Sequence, residues 1–250
     1  MAISYGGCPS HSDRPRMHPI SSLSPLEPVE PIRVSVIVPV LNEAANLRAC
    51  LDSAFAAGGE VDVTVVDGGS ADESLDIARA TAATVLSSSV AGRAHQLNLG
   101  ASRSHGNVLL FLHADTVLPP GWLAALKGAL SHDARVVGGG FRRRFAHPSA
   151  FLRFTCWLAG WRVRWWGCLL GDQAMFARRT AFAAVGGFPA IKIFEDMEFS
   201  LRVRKLGRIV LLPPCVLSSG RRFGRRGALR QTLSDFDLTM RYLRSRPKGR

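Results

Sequence analysis

The stretch "FLHADT", residues 111–116, follows the apolar run Val108 to Leu110. If Val108 to Leu112 is a buried strand, Asp115 stands at its carboxyl end, where open α/β sheets keep their ligands. A hard cation such as Mg2+ or Mn2+ takes one or two protein carboxylates and fills its shell with phosphate oxygens, so a single Asp can suffice. The other reading of Asp115 is a turn or helix-capping residue. His113 stands two positions earlier, where a second carboxylate would strengthen the cation reading.

Other stretches carry groups of the same kind. In "VVDGGS" a strand ends in Asp67, and Gly68 and Gly69 allow a close backbone approach. A carboxylate there can accept hydrogen bonds from a base or ribose, or simply build a turn. Arg93 lies just inside a helix start, where the dipole prefers an anion, so a bound phosphate would resolve the conflict. "GDQ" (Gly171, Asp172, Gln173) and "FEDMEF" (Phe194 to Phe199) put carboxylates at element boundaries. Asp196, opening a helix with Met197, Leu201 and Leu206 facing inward, is placed to take a proton from a hydroxyl. The plainer reading is that Glu195 and Asp196 complement the helix dipole. "SSGRRFGRRG", Ser218 to Gly227, sets four arginines around glycines and suits phosphate oxygens or a solvated loop.

Alternating elements would position these groups. "VSVIVPV" reads as a buried strand, and Leu47, Leu51, Ala54 and Phe55 follow at helical spacing. Val61 to Val66 repeats the pattern, with Ser70 and Glu73 as a capping box for the next helix. A strand near Thr84 to Leu86, a helix from Arg93 to Ser102 and the "NVLLFL" strand continue it. Such alternation predicts a mainly parallel sheet flanked by helices. Beyond it we expect a helix from Pro119 to about Leu130, a short strand "VVGGGF", a strand around Met175 and a helix near Thr180 to Val185. A strand "IVLLP" and a helix from about Gly227 to Leu243 close the series. Residues 1–31, rich in Pro and Ser, read as a disordered leader.

Lys and Arg number 32 against 19 Asp and Glu, a net charge of +13, which predicts phosphate-bearing partners or anionic membrane surfaces. After Ser200 only Asp235 and Asp237 oppose the bases, so the basicity belongs to the second half. No helix-turn-helix, zinc-finger or RNP pattern accompanies it, and we expect no nucleic-acid partner. The absence of G-x-G-x-x-G argues against a dinucleotide site. The five cysteines never form a C-x-x-C pair and read as reduced thiols, mostly core, which points to the cytoplasm. No secretory signal and no membrane span are expected. In 148–170, Trp157, Trp161, Trp165 and Trp166 alternate with Arg153, Arg162 and Arg164. This stretch suits core, an oligomer contact or peripheral membrane contact.

Taken in order, "SVIVPVLNEAANL", "VVDGGSADES", "AGRAHQLNLGA", "FLHADT", "GDQAMFARR" and "FEDMEFSLR" make the sequence resemble a family 2 glycosyltransferase with the GT-A fold, from about Arg33 to Arg230. It is most similar to the bacterial arsenosugar-biosynthesis or radical-SAM-associated subfamily, where "LHADT" carries His in place of the first acid. The resemblance implies a Rossmann-like GT-A domain over residues 32–230, with an acceptor-side subregion late in the chain and a helix and basic tail at 231–250. It implies that Pro39, Asn42 and Glu43 line a nucleotide pocket, with Asp67 and Gly68 at the base or ribose and Arg93 near the diphosphate. Asp115 would hold the metal, Gly171, Asp172, Gln173 and Glu195 would border the acceptor, and Asp196 would be the base of an inverting displacement. Arg221 and Arg222 would assist the leaving diphosphate.

These expectations describe an inverting, Mg2+- or Mn2+-assisted enzyme that moves sugar from a UDP- or GDP-sugar to a hydroxyl on a small-molecule or lipid-linked acceptor. It would be cytoplasmic and peripheral to the membrane. Two other classes stand beside it. An inactive module of the same fold would bind a membrane or partner through its basic, Trp-rich half. A nucleotidyltransferase would share the architecture, although "PVLNEAANL" lacks the Gly-rich basic loop such enzymes carry.

Overall fold

The strands and helices alternate from the start: β1 (Val34–Val40), α1 (Ala44–Phe55), β2 (Val61–Asp67), α2 (Ser74–Arg79), β3 (Thr84–Ser87), α3 (Arg93–Arg103) and β4 (Val108–Phe111). There follow β5 (Thr116–Val117), α4 (Trp122–His132), β6 (Val136–Phe145), α5 (Ala150–Trp166), a 3-10 turn (Gly171–Gln173), β7 (Met175–Arg178) and α6 (Arg179–Ala184). Then come α7 (Glu195–Val203), β8 (Arg208–Ser218) and α8 (Ala228–Ser245). The computed structural model describes residues 31–58, 61–146, 149–221 and 227–245. The expectations for residues 1–30, Cys8, Arg222 and the last five residues fall outside the described residues.

One sheet runs β3-β2-β1-β4-β7-β6-β8-β5. Its first four strands are all parallel, as right-handed strand-helix-strand units require. β7 is antiparallel to both β4 and β6, β8 is parallel to β6, and β5 turns back on β8. The expected mainly parallel sheet is therefore continued by a mixed half.

Burial on both faces explains the strand composition. Val34, Val36, Val38 and Val40 share one cluster with Leu47 and Leu51 of α1, Ala78 of α2 and Leu126 of α4. Ile37, Val66, Leu109 and Phe111 share the other with Leu97 of α3, Val163 of α5, Ala181 of α6 and Phe199 of α7. On that second face Phe188 stacks on Phe199 with centroids 4.3 Å apart and meets Phe111 edge-on at 4.7 Å. Such pairs add to the burial of their rings.

Several expected boundaries move for physical reasons. β6 spans ten residues and runs on past its glycines to Phe145; a Cβ on Gly139 would lie 2.3 Å from Val210 O and 2.7 Å from the Phe176 ring. β8 runs through Pro213 and Pro214 because the register slips there: Phe141 pairs with Leu212 and Arg142 with Cys215, so neither proline owes the ladder a donor. The Ser70–Glu73 capping box does not form. α2 begins at Ser74, and the Ser70 hydroxyl instead accepts from Asn42 N at 3.0 Å. Met197 is buried, but α7 stops at Val203 and leaves Leu206 48 % exposed rather than inward. The expected boundary at 230/231 falls inside α8. Cys50 and Cys168 are buried while Cys156 and Cys215 are half-buried, and all four are free thiols. Among the described residues no helix is long and apolar enough to cross a membrane.

The seat of α3 on β1 and β2 depends on Gly100, where an added Cβ would stand 2.5 Å from Ile37 Cγ2 and 3.1 Å from Val66 Cγ2. Gly100→Ala is expected to lower unfolding stability by about 1–3 kcal/mol. Gly128→Ala, in α4 with nothing within 4 Å of the new Cβ, should raise it by about 0.5–1 kcal/mol. Urea unfolding of the two variants checks the pair.

Candidate active site

The carboxyl ends of β1 and β2 are tied into one loop cluster. Gln96 of α3 is buried, and its side-chain amide donates to Val40 O and Val66 O, each at 2.8 Å, clamping the two strand ends. Pro39 lies on β1 in register with Val66, one step before this clamp. Gly68 lies beneath the same amide, where a Cβ would come within 2.9 Å of Gln96 Nε2. Asp67 is buried, and its carboxylate accepts from Gly69 N at 3.0 Å and Ser70 N at 3.2 Å. Asn42 adopts φ 54°, a left-handed conformation that Asn tolerates better than most residues, and its Oδ1 accepts from Ala71 N at 2.8 Å. The Glu43 amide donates to Ser74 Oγ at 2.8 Å, and the Glu43 carboxylate accepts from Asn46 and from Arg221. The nucleotide-pocket candidates Asn42, Glu43, Asp67, Gly68 and Arg221 thus stand in one connected rim.

Asp115 follows β4 in a tight turn closed by Thr116 N donating to His113 O at 3.0 Å. Its own carbonyl accepts from Ser219 N at 3.0 Å, joining this turn to the end of β8 and the start of the arginine-rich loop. The carboxylate is half-buried near Cys50. Burial first, and then the negative charges of Asp115 and Glu43, push the Cys50 thiol far above its ordinary range, so Cys50 stays protonated. Among the described residues no group of three or more His, Cys, Asp or Glu forms a protein cage for a metal. The donor set, one half-buried carboxylate on a strand-end turn, therefore fits a hard cation only when phosphate oxygens complete the shell.

A second cluster gathers on the other side of β4. Asp196, in the first turn of α7, is 8 % exposed; its Oδ2 accepts from Gly171 N at 2.6 Å and its Oδ1 from Met197 N at 2.7 Å. The His113 ring lies over Gly171, so closely that any Cβ at 171 would collide with Nε2, and that Cβ would also stand 3.1 Å from Asp196 Oδ2. The neighbouring Glu195 is 2 % exposed and ion-paired with Arg93. Burial pushes the Asp196 carboxyl above its ordinary value; Arg93 pulls it down, Glu195 adds to the rise, and the two amide bonds lower it, with the net direction up. Arg93 is drawn down by burial, yet the charges of Glu195, Asp196 and Asp172 more than offset this and hold it protonated. Phe194, just before α7, has φ 65°, a conformation costly for a bulky residue and often retained at functional sites.

The three residues of the 3-10 turn divide their work. Gly171 touches His113 and Asp196 as above. Asp172 is ion-paired with Arg143 of β6, and Asp172 Oδ1 and Arg143 Nε remain buried without hydrogen-bond partners among the described residues. Gln173 is 1 % exposed, its Oε1 accepting from Leu170 N at 3.1 Å and Arg162 Nη2 at 3.2 Å, so its side chain fastens α5 to the turn.

Sequence reasoning did not find the Arg143 partner of Asp172, the clamp made by Gln96, or the contact of His113 with Gly171. The signals were faint: "RRR" at 142–144 and a lone Gln in "AGRAHQLNLGA". The collision at 171 makes a prediction. Gly171→Ala should reduce unfolding stability by about 1–3 kcal/mol. The double variant His113→Ala/Gly171→Ala should recover most of that loss, because the collision partner is gone, giving a non-additive double-mutant cycle in urea unfolding.

The sequence profile described as Glycosyl transferase family 2 matches residues 35–187. A "PGL/p-HBAD biosynthesis glycosyltransferase" of Mycobacterium tuberculosis is 31 % identical over 186 residues, 67 % of this chain and 68 % of that protein. The "Glycosyltransferase AglE" of Haloferax volcanii is 33 % identical over 126 residues, 46 % of this chain and 41 % of that protein. Among solved structures, the mannosyltransferase PcManGT from Pyrobaculum calidifontis, in complex with GDP-Man and Mn2+, superposes with TM-score 0.62 at 23 % identity over 76 % of this chain and 58 % of its own. Glucosyl-3-phosphoglycerate synthase from Mycobacterium tuberculosis, in complex with Mn2+, UDP and phosphoglyceric acid, gives TM-score 0.57 at 20 % identity, over 74 % of this chain and 69 % of its own. S. aureus TarS 1-349 gives TM-score 0.59 at 18 % identity over 75 % of this chain, which spans only 60 % of that one. These likenesses are to GT-A glycosyltransferases and carry the fold; with the profile and the relatives, they establish that the chain belongs to glycosyltransferase family 2.

Proposed function

We propose that the chain is an inverting glycosyltransferase that moves a sugar from a UDP- or GDP-sugar to a hydroxyl of a small-molecule or lipid-linked acceptor. The observation that carries this reading is Asp196. It is a buried carboxylate with both oxygens fixed by backbone amides and a pKa raised by burial, set across β4 from the strand-end carboxylates. Each oxygen keeps a further lone pair. An acceptor O–H set against one of them gives its proton to Asp196 as the acceptor oxygen bonds to the anomeric carbon. The bond from that carbon to the diphosphate oxygen breaks on the opposite face, so the configuration inverts.

The leaving diphosphate carries away the electron pair and needs positive charge near it. Arg93, its charge held by Glu195, and Arg221, fixed on Glu43, are the arginines nearest that role. Arg222 completes the expected set and lies outside the described residues. Asn42, Glu43, Asp67 and Gly68 form the nucleotide rim, with Pro39 below them. Asp115 would hold Mg2+ or Mn2+ together with the diphosphate oxygens, and such a cation supplies Lewis-acid stabilisation of the leaving group. Gly171, Asp172, Gln173 and Glu195 stand on the acceptor side, and the Gln173 side chain also fastens the turn. His113 in "LHADT" supports placement near the arsenosugar or radical-SAM-associated subfamily. The free thiols support a cytoplasmic location.

Screening of UDP- and GDP-sugars with hydroxyl acceptors tests the reading. Asp196→Asn should reduce transfer by at least about a hundredfold, the lower range for loss of a general base. Nucleotide affinity should be unchanged, and undiminished turnover in the variant would sink the assignment.

A pH profile adds a second test. The base must be ionised, so kcat/KM should rise with pH through a midpoint above 3.8, the ordinary Asp value. Glu195→Gln removes one negative neighbour, and the midpoint should move down. The same raised pKa makes folding stability fall as pH rises from the unfolded carboxylate value through the folded one.

A further inference from the structure

Helix α5 turns its aromatic stripe away from the core. Leu152, Ala159 and Val163 are its buried residues, while Phe154, Trp157, Leu158, Trp161 and Trp165 recur at helical spacing on the other side, 44 to 62 % exposed. The rings also pack along the surface: Phe154 stacks on Trp157 at 5.9 Å, and Trp157 meets Trp161 edge-on at 5.8 Å. A continuous exposed apolar ridge of this kind marks an interaction site rather than scattered surface leucines.

Beside the ridge a groove of about 1310 Å³ runs between α5 and strands β6 and β8. Arg142, Arg144, Arg153, Arg164 and Arg204 line it together with Trp157, Trp161 and Trp165, and among the described residues no Asp or Glu does. Arg204 Nη2 also donates to Trp165 O at 3.2 Å, joining the basic rim to the end of the aromatic helix. Indole rings favour the boundary between hydrocarbon and water, and guanidinium groups favour phosphate. Pairing this face with a second copy of itself would set arginines against arginines.

We propose that α5 with the arginines of its groove is a docking face for an anionic phospholipid bilayer, with the helix lying in the interface plane. The chain leaves α5 through Gly167 and within a few residues enters the turn whose Gly171 holds Asp196, so docking would set the acceptor side next to the lipid headgroups. The docking face stands apart from the transferase reading and does not depend on it.

The test uses the full chain and two vesicle preparations: phosphatidylcholine alone, and phosphatidylcholine with about 30 % phosphatidylglycerol, a fraction that gives a strongly negative surface. The expected results are co-sedimentation with the anionic vesicles, weakening at high salt, and quenching of tryptophan fluorescence when brominated acyl chains are used. Because a strongly basic chain can adhere to anionic vesicles by charge alone, Trp157→Ser/Trp161→Ser/Trp165→Ser is the deciding variant. It should bind at least about tenfold more weakly and lose the quenching. All three rings are exposed, so its circular dichroism should match the wild type. Asp196→Asn should bind vesicles as the wild type does, which separates a failure of docking from a failure of transfer. Equal binding by the triple variant, no quenching by brominated lipid, or a wild-type dimer that the triple variant dissociates would overturn the proposal.

Discussion

Asp196 is almost fully buried, and burial resists its ionisation, while the backbone amides bonded to both carboxylate oxygens and the nearby positive charge favour it. Arg93 supplies that charge but is itself shared with the fully buried Glu195. The result is a carboxyl group held up by burial and only partly drawn back, the direction the proposed general base calls for. Geometry enforces the same balance. His113 lies over Gly171 so closely that only glycine fits, and the Gly171 amide donates to Asp196 at 2.6 Å. These two contacts tie the exit of β4, the turn after α5 and the start of α7.

The proposed donor side is built from polar groups of another kind. Asp67 and Asn42 spend hydrogen-bonding capacity on their own loop, accepting from the amides of residues 69 to 71. Their turn-building roles and their expected ligand roles are compatible, because Asp67 Oδ1 and Asn42 Oδ1 each accept a single bond here and keep a lone pair. Asp115 differs. Its backbone carbonyl anchors the turn to Ser219, and its half-buried carboxylate raises the pKa of Cys50. The strand-end rim and the Asp196 cluster stand on either side of β4, and the segment His113 to Asp115 links them.

The parallel half of the sheet could be read from the sequence because β1, β2 and β4 are rich in apolar residues and alternate with helical spacing, signals that are local. The mixed half could not. Gly138 and Gly139 of β6 stand where backbone oxygens of β7 and β8 leave no room for a Cβ, and β8 carries two prolines that only a register slip permits. The Ser70–Glu73 pattern looked like a capping box, yet Ser70 was claimed by Asn42, 28 residues away in sequence. Site carboxylates were visible as types at element ends, whereas their partners were not. Arg143 reaches Asp172 and Arg93 reaches Glu195 across 29 and 102 residues, and no spacing rule links such positions. Gln173, expected beside the acceptor, is buried and accepts from Arg162, a partner that spacing does not reveal.

The claim that a single strand-end carboxylate grips the leaving group through a cation is tested most directly by calorimetric titration of UDP and GDP, with and without Mn2+, into the wild type and Asp115→Ala. The account predicts that one nucleotide binds the wild type tightly only with Mn2+, and that Asp115→Ala loses the metal dependence together with most of the affinity. Equal binding without metal, and to Asp115→Ala, would contradict it and leave the arginines as the grip on the diphosphate.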